Sequence, residues 1–352
     1  MTITRTALVV LLAAAAYSAA AYASDGSLLV LSKGDHTLAI VDPGTMKVLG
    51  KAPVGEDPHE VIASSDGRFA YVSNYGGGAY NTLALIDLVG MKSLGSIDLG
   101  PLRGPHGLAF VGGKTWFTAE AAKAIGRYDP ATKKVDWILG TGQNRTHMVW
   151  VSPDMQTIYT TNVSSATVSI IEHVAPRSMP PPPSGAPHLP SGAPPRPMGP
   201  PGGDWNETVV PVGHGSEGFD VRPDGKEIWV ANAQDGTVSI IDLSAKRVSE
   251  TLHPNVAGAN RLKFTPDGKL VFISSLGDAG LTVLDAASHK EIKRFPIPPA
   301  AGIEMQPDGS RVYVASTGGN YVAVIDPKTL EITGKIDAGP QPDGMAWSSN
   351  KR

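Results

Sequence analysis

The side chains best suited to chemistry in this sequence are histidines and carboxylates that recur at one register. A turn of the type Pro-Asp-Gly or Ser-Asp-Gly returns along the chain, and seven residues before its aspartate stands a particular side chain each time. From Asp66 it is His59, from Asp154 His147, from Asp224 Glu217, from Asp267 Asn260 and from Asp308 Ala301. A worn copy of the turn, VGGK at 111–114, leads with one deletion to His106. The C-terminal PDGMAWSS, aligned on GPHGLAFV, gives Asp343. Three successive copies therefore carry imidazole, flanked on each side by a carboxylate, in a chain with nine histidines altogether. Imidazole and carboxylate suit a divalent zinc, copper, iron or manganese ion where thiolate is absent. His59, His106, His147 and Glu217 are the expected metal ligands. The same groups can move a proton beside a metal-polarised carbonyl, which makes His106, His147 and Glu217 the catalytic candidates. Asp343 and Asn260 are expected to bind ligand. Glu60 and Glu120 would orient the imidazoles, and the forks of Arg145 and Arg261 fit the carboxylate or phosphate of an anionic ligand.

The elements that must hold these residues are strands. Residues 215–252 contain four short apolar runs, including IWVA and VSII, separated by Pro-Asp-Gly and Asp-Gly. β-Branched and aromatic residues fit a pleated sheet, and Pro and Gly preset the turn torsions. This predicts a four-stranded antiparallel meander that needs neighbours to cover its faces. A carboxylate closes the third strand at Asp42, Asp87, Asp129, Glu172, Asp242, Asp285 and Asp326, at intervals of 45, 42, 43, 70, 43 and 41 residues. A repeat of four strands with a period near 42 residues is the signature of a β-propeller.

The second strand reads YVSN at 71–74, YTTN at 159–162, WVAN at 229–232 and YVAS at 313–316. Here the chain resembles the YVTN family of β-propeller repeats, over nearly its whole length after the N-terminal leader. More distantly it is similar in outline to lactonase-like and streptogramin-lyase-like propellers. The resemblance implies an all-β, seven-bladed propeller whose first strands line a central channel, with the histidine ring at its mouth. Blade one lacks its inner strand in 28–55, and residues 342–349 are expected to supply it and close the ring. In blade three Glu120 is aligned with the asparagine of YVSN. Met148, Met345, Trp150, Trp229 and Trp347 are expected in the packing between blades. The Asp-Pro-x-Thr turns are expected to be structural Asx-turns.

Composition narrows the readings. Cysteine is absent, which excludes disulfides, Cys-ligated iron–sulfur clusters and covalently attached c-type haem. A net charge of −3 argues against a nucleic-acid partner. Residues 1–23 read as a secretory signal: Arg5, the apolar run ALVVLLAAAA at 7–16, and cleavage after Ala23. The run is too short for a transmembrane anchor, so the mature chain, 24–352, is expected in the periplasm or outside the cell as one propeller domain and a monomer. Residues 175–203, rich in Pro and Gly, interrupt blade four as a disordered or polyproline segment. Three functions follow: an exported propeller holding a metal ion or small ligand at its mouth, in support of a partner protein; a metal- or His-dependent enzyme of lactonase or lyase type at the same place; and a protein-interaction scaffold using the Pro-rich loop. No G-x-S-x-G motif is present, which disfavours serine hydrolysis.

Overall fold

In the computed structural model the described residues are 26–174, 203–277 and 280–349. Residues 1–23, expected from the sequence to be a signal segment, and residues 175–202 of the Pro-rich segment lie outside them. The chain forms seven four-stranded antiparallel sheets. Blade one joins the C-terminal strand Pro342–Ser348 to the three N-terminal strands that begin with Ser27–Ser32. Blades two to seven span 58–98, 105–140, 146–211, 216–252, 259–295 and 303–336 in order. Among the described residues no helix is long and apolar enough to cross a membrane.

The meander follows from the alternation in each repeat. Second and third strands such as Glu227–Asn232 and Thr237–Asp242 bury nearly every side chain, because each face meets a neighbouring blade. Outer strands such as Lys47–Pro53 alternate exposed and half-buried. The apolar clusters lie between blades: Leu29, Leu31 and Ile40 of blade one pack on Val61, Val72 and Ile86 of blade two, and Trp229 and Val238 of blade five pack on Leu262 and Val271 of blade six. The aspartates that close the third strands accept backbone N–H bonds from the turn that follows, as Asp42 does from Gly44 and Thr45, whereas Glu172 of blade four pairs with Lys246. The aspartate turns are the expected Asx-turns.

One irregularity of the inner strands creates the site. In six blades the ladder between first and second strand slips at the ring residue and its successor: 59–60, 106–107, 147–148, 217–218, 260–261 and 343–344. A β-bulge re-aims a side chain and leaves an N–H unpaired. The N–H groups of Glu60, Gly107, Met148 and Arg261 donate to the hydroxyls of Ser73, Thr118, Thr161 and Ser274 on the second strand. Three of those hydroxyls donate onward to the ring-residue carbonyl of the next blade: Thr118 to His147, Thr161 to Glu217 and Ser274 to Ala301. In these three blades the Ser or Thr before the strand-end residue thus ties one inner strand to the ring residue of the next. Glycine follows the ring residue in four blades because there the inner strands touch. A Cβ on Gly344 would lie 2.2 Å from the His59 carbonyl oxygen, and one on Gly107 2.5 Å from that of His147.

Candidate metal and ligand site at the channel mouth

All seven ring residues, Asp343, His59, His106, His147, Glu217, Asn260 and Ala301, line one cavity of about 250 Å3 at the mouth of the channel. Arg145, Arg261, Lys33, Tyr75, Leu276 and Thr317 complete its wall. A roomier groove of about 540 Å3 at the outer edge of blades four and five, between Pro211 and His253, is more open and gathers fewer ionisable groups.

The imidazoles of His106 and His147 are buried with ring centroids 3.8 Å apart. His147 bonds through Nδ1 to Glu120 Oε1, and its Nε2 stands 2.7 Å from Glu217 Oε2. That second contact is an ion pair, and His106 Nδ1 is buried without a hydrogen-bond partner. Such orphans are rare and call for an explanation. His106, Glu120 and His147 offer ligand atoms within 4.8 Å of one another, an arrangement that could hold a metal ion. His59 stands apart from that group. Its Nε2 is 2.8 Å from Lys33 Nζ and its Nδ1 is 3.1 Å from the Asp57 carbonyl, although its ring lies 4.9 Å from that of His106.

Electrostatics follow from burial and pairing. Burial, the charge of His147 and that of His59 hold His106 well below the ordinary histidine range, which keeps one of its ring nitrogens unprotonated. Burial also presses His147 down, but Glu217 and Glu120 outweigh it and raise its pKa. Burial pushes Glu217 up, yet His147 and the two arginines bring it to about 2. Glu120, buried and held by His147, Tyr75 and Arg145, is also lowered. Tyr75 Oη donates to Glu120 Oε2 at 2.5 Å, and burial drives the phenol up to about 12. Around the mouth Lys33, Arg145 and Arg261 face five carboxylates, Asp57, Glu60, Glu120, Glu217 and Asp343. The excess is negative, and a cation at the two imidazoles would offset it.

Other expected residues take different places. Glu60 does not support His59. It crosses the channel from blade two to blade six, where Arg261 Nη2 donates to its Oε1 at 2.5 Å. Arg145 sits half-exposed on the rim, 3.3 Å from Glu120. Asn260 Oδ1 is 3.4 Å from Arg261 Nη1, and Asp343 Oδ2 is 3.3 Å from Lys33. Glu120 corrects the alignment made above. Ala119, paired with Pro105, holds the asparagine register, and Glu120 falls one position beyond, level with Tyr75 and Lys33. The asparagines themselves are structural: Asn74, Asn162 and Asn232 donate to the threonine that opens the third strand. Met345, Trp229 and Trp347 join apolar clusters between blades. Met148 and Trp150 belong to none among the described residues; Trp150 stacks on Tyr159 at 4.9 Å. Lys33 and Tyr75 escaped sequence reasoning. Their signal was the position after the second-strand motif, which also gives Glu120, Leu276 and Thr317.

Three positions further along the inner strands, blades five to seven carry Asp220, Lys263 and Glu304, all half-buried. Burial raises Asp220, against the pull of Lys263 and the N–H groups of Phe264 and Val221. Asp220, ahead of burial, raises Lys263. Burial pushes Glu304 up to about 7, with Lys263 opposing and Asp220 and Glu60 adding to the rise.

No protein-family model and no curated protein sequence matches this chain. Solved structures do. A functionally unknown protein from Desulfotomaculum acetoxidans superposes with a TM-score of 0.69 at 12% identity, over 93% of this chain and 100% of that one. A Bacteroides fragilis protein described as a "putative 6-phosphogluconolactonase" gives 0.69 at 15% identity, over 93% and 99%. A dihydro-heme d1 dehydrogenase gives 0.59 at 15% identity, over 90% of this chain and 64% of that one. At these identities the likeness is one of fold: this is a seven-bladed β-propeller of four-stranded blades.

Proposed function

We propose that this protein is an exported β-propeller that binds a divalent transition-metal ion at its channel mouth and presents it to a small anionic ligand. The observation that carries the reading is the pair of buried imidazoles beside Glu120 and Glu217: His106 Nδ1 has no hydrogen-bond partner, and His147 Nε2 faces the Glu217 carboxylate at 2.7 Å. His106 and His147 would hold the ion, with Glu217 as the carboxylate if His147 binds through Nε2 and Glu120 if it binds through Nδ1. Three protein ligands leave coordination positions open, and Ala301, the one small side chain in the ring, leaves room for a ligand beside Leu276 and Thr317. A bound ion would supply Lewis acidity toward a carbonyl or phosphoryl oxygen. Arg145, half-exposed on the rim, is placed to take the ligand's negative end.

The test is metal analysis of protein prepared without chelator or nickel, followed by calorimetric titration with zinc. One ion per chain is expected, with at least a tenfold loss of affinity in His106→Ala and no change of fold. Equal uptake by wild type and variant would end the reading. Export is tested by the N-terminus of the mature protein, expected at Ser24. One observation supports a catalytic version at the same mouth. Tyr75, Glu120, His147 and Glu217 form a line across four consecutive blades along which a proton can be held and passed. Hydrolysis of simple lactones by wild type, lost in both Tyr75→Phe and Glu217→Gln, would favour it over binding alone.

A further inference from the structure

The mouth has two unlike halves. Blades one to five line it with titratable ring residues, from Asp343 round to Glu217, whereas blades six and seven supply Asn260 and Ala301. Blade seven also differs in its backbone. Its inner strand is Ile303–Met305, three residues where the other blades have six or seven, and its ladder begins two residues after Ala301. Pro296, Pro298 and Pro299 stand just ahead, and proline cannot donate to a ladder. At ring level this blade therefore presents a loop whose side chains, at Ala301 and Gly302, are a methyl and a hydrogen.

Leu276 borders that gap. It follows the second strand of blade six, lines the mouth and is 49% exposed. Its N–H donates to the Gly258 carbonyl at 2.9 Å, which fixes its backbone. Polar atoms on this side are already engaged. The Thr317 hydroxyl donates to the Pro342 carbonyl at 2.7 Å, the Ala301 N–H to the Ala315 carbonyl at 2.9 Å, and the Ala301 carbonyl accepts from Ser274. The Glu60–Arg261 pair crosses the channel and floors the cup. Its volume of about 250 Å3 falls below the roughly 300–1,000 Å3 of pockets for drug-sized ligands.

The seven blades pack in chain order, each inner strand on the next. Across the axis from the boundary of blades three and four, where His106 and His147 stand, is therefore blade seven. A small ligand held at the imidazoles and reaching across the mouth meets Ala301 and Leu276.

We propose that the ligand of this mouth is a short monocarboxylate, its carboxylate at the metal site beside Arg145 and its hydrocarbon tail laid across the mouth on Leu276 and Ala301. The inference rests on the metal reading of His106 and His147 given above and adds the class of ligand. Charge excludes a second carboxylate on the tail. It would arrive beside Asp343, and the nearby cations are committed: Lys33 to Asp57 and Asp343 at 3.2 and 3.3 Å, Arg261 to Glu60. A carboxylate taken from water without a partner is costly. Leu276 is then the residue that favours a longer tail, and Asp343 the one that rejects a second charge.

The experiment measures the affinity of the zinc-loaded protein for acetate, butanoate, hexanoate and succinate at pH 7.5, by calorimetry or, for weak binders, by NMR titration. Wild type is compared with Leu276→Ser and Leu276→Asp, both at an exposed position. Full burial of one methylene is worth about fourfold in affinity. With one side of the tail covered, wild type should bind hexanoate at least about tenfold more tightly than acetate, and butanoate more tightly than succinate. The ratio of hexanoate to acetate affinity should fall severalfold in Leu276→Ser and further in Leu276→Asp. No gain from acetate to hexanoate, a ratio unchanged in both variants, or succinate equal to butanoate overturns the inference and leaves the metal reading standing. If wild type takes up no zinc, the metal reading fails, and the same series on the metal-free protein decides the rest. Hexanoate binding lost in Leu276→Asp then sustains the apolar wall, and no binding of hexanoate overturns it.

Discussion

Replacing Glu304 by glutamine should stabilise the protein at pH 8 and do much less at pH 5. In the channel, burial pushes this carboxyl from 4.5 up to about 7, with Lys263 opposing the shift and Asp220 and Glu60 enlarging it. The folded chain therefore binds the Glu304 proton more tightly than the unfolded chain. The stability this contributes is fully present below pH 4.5 and is lost as pH rises through about 7. At 1.36 kcal/mol per unit, the ionised glutamate costs the fold at most about 3 kcal/mol at pH 8 and less than about 1 kcal/mol at pH 5. The side chain is only half-buried, so access of water reduces the expected gain at pH 8 to roughly 1–3 kcal/mol. Glutamine keeps the shape and carries no charge, and Lys263 keeps Asp220, the larger cause of its raised pKa. Urea unfolding of wild type and Glu304→Gln at the two pH values measures the difference. An equal effect at both, or a variant less stable than wild type at pH 8, would refute the electrostatic account of this residue.

Removing residues 340–352 should abolish the cooperative melt, because it takes away the inner strand of blade one and bares the edge at Leu28–Leu31; a truncated protein melting like the full chain would count against closure. Gly344→Ala should lower the unfolding free energy measured in urea by about 2 kcal/mol or more, since its Cβ meets backbone rather than a flexible side chain; an unchanged midpoint would show that the inner strands can part. Zinc affinity should fall on acidification beginning above pH 6.5, because His147, raised above that value, must give up its proton to bind. A flat affinity between pH 8 and pH 6 would remove His147 from the ligand set.

The ring of seven residues could be read from the sequence because each turn aspartate fixes the register of the strand before it, and counting along a strand is reliable while the ladder is regular. It also worked for His106, whose turn had decayed to Gly-Gly. Reasoning faltered at the bulge. Adjacency in sequence implied that Glu60 would support His59, and strict alternation that Met148 would enter the packing between blades. The slip at 59–60 and its counterparts instead put Glu60 in the channel with Arg261. Glu120 was displaced by one position for a related reason: blade three carries no asparagine to mark the strand end, so its final alanine was passed over. Lys33 and Tyr75 lie just outside the repeat motif, in positions that vary in kind from blade to blade. Their role depends on what stands opposite across the mouth, which periodicity does not report.

The seam in blade one has a consequence for when the mouth comes into being. Lys33 is among the first residues of the propeller to be made and Asp343 among the last, yet their side chains meet 3.3 Å apart. Six blades can fold as the chain emerges, while the wall between blades seven and two stays open until residues 342–348 arrive and pair with 27–32. Until then Asp57 and His59 face an unfinished gap. The cation cluster thus depends on completion of the ring, and a chain that stops before residue 342 lacks both the seal and one wall of the pocket. Any ligand that bridges blades seven, one and two adds its binding free energy to the seal itself. Occupancy of the mouth and closure of the ring are then one equilibrium, measurable as protection of the N-terminal strand from exchange with solvent deuterium.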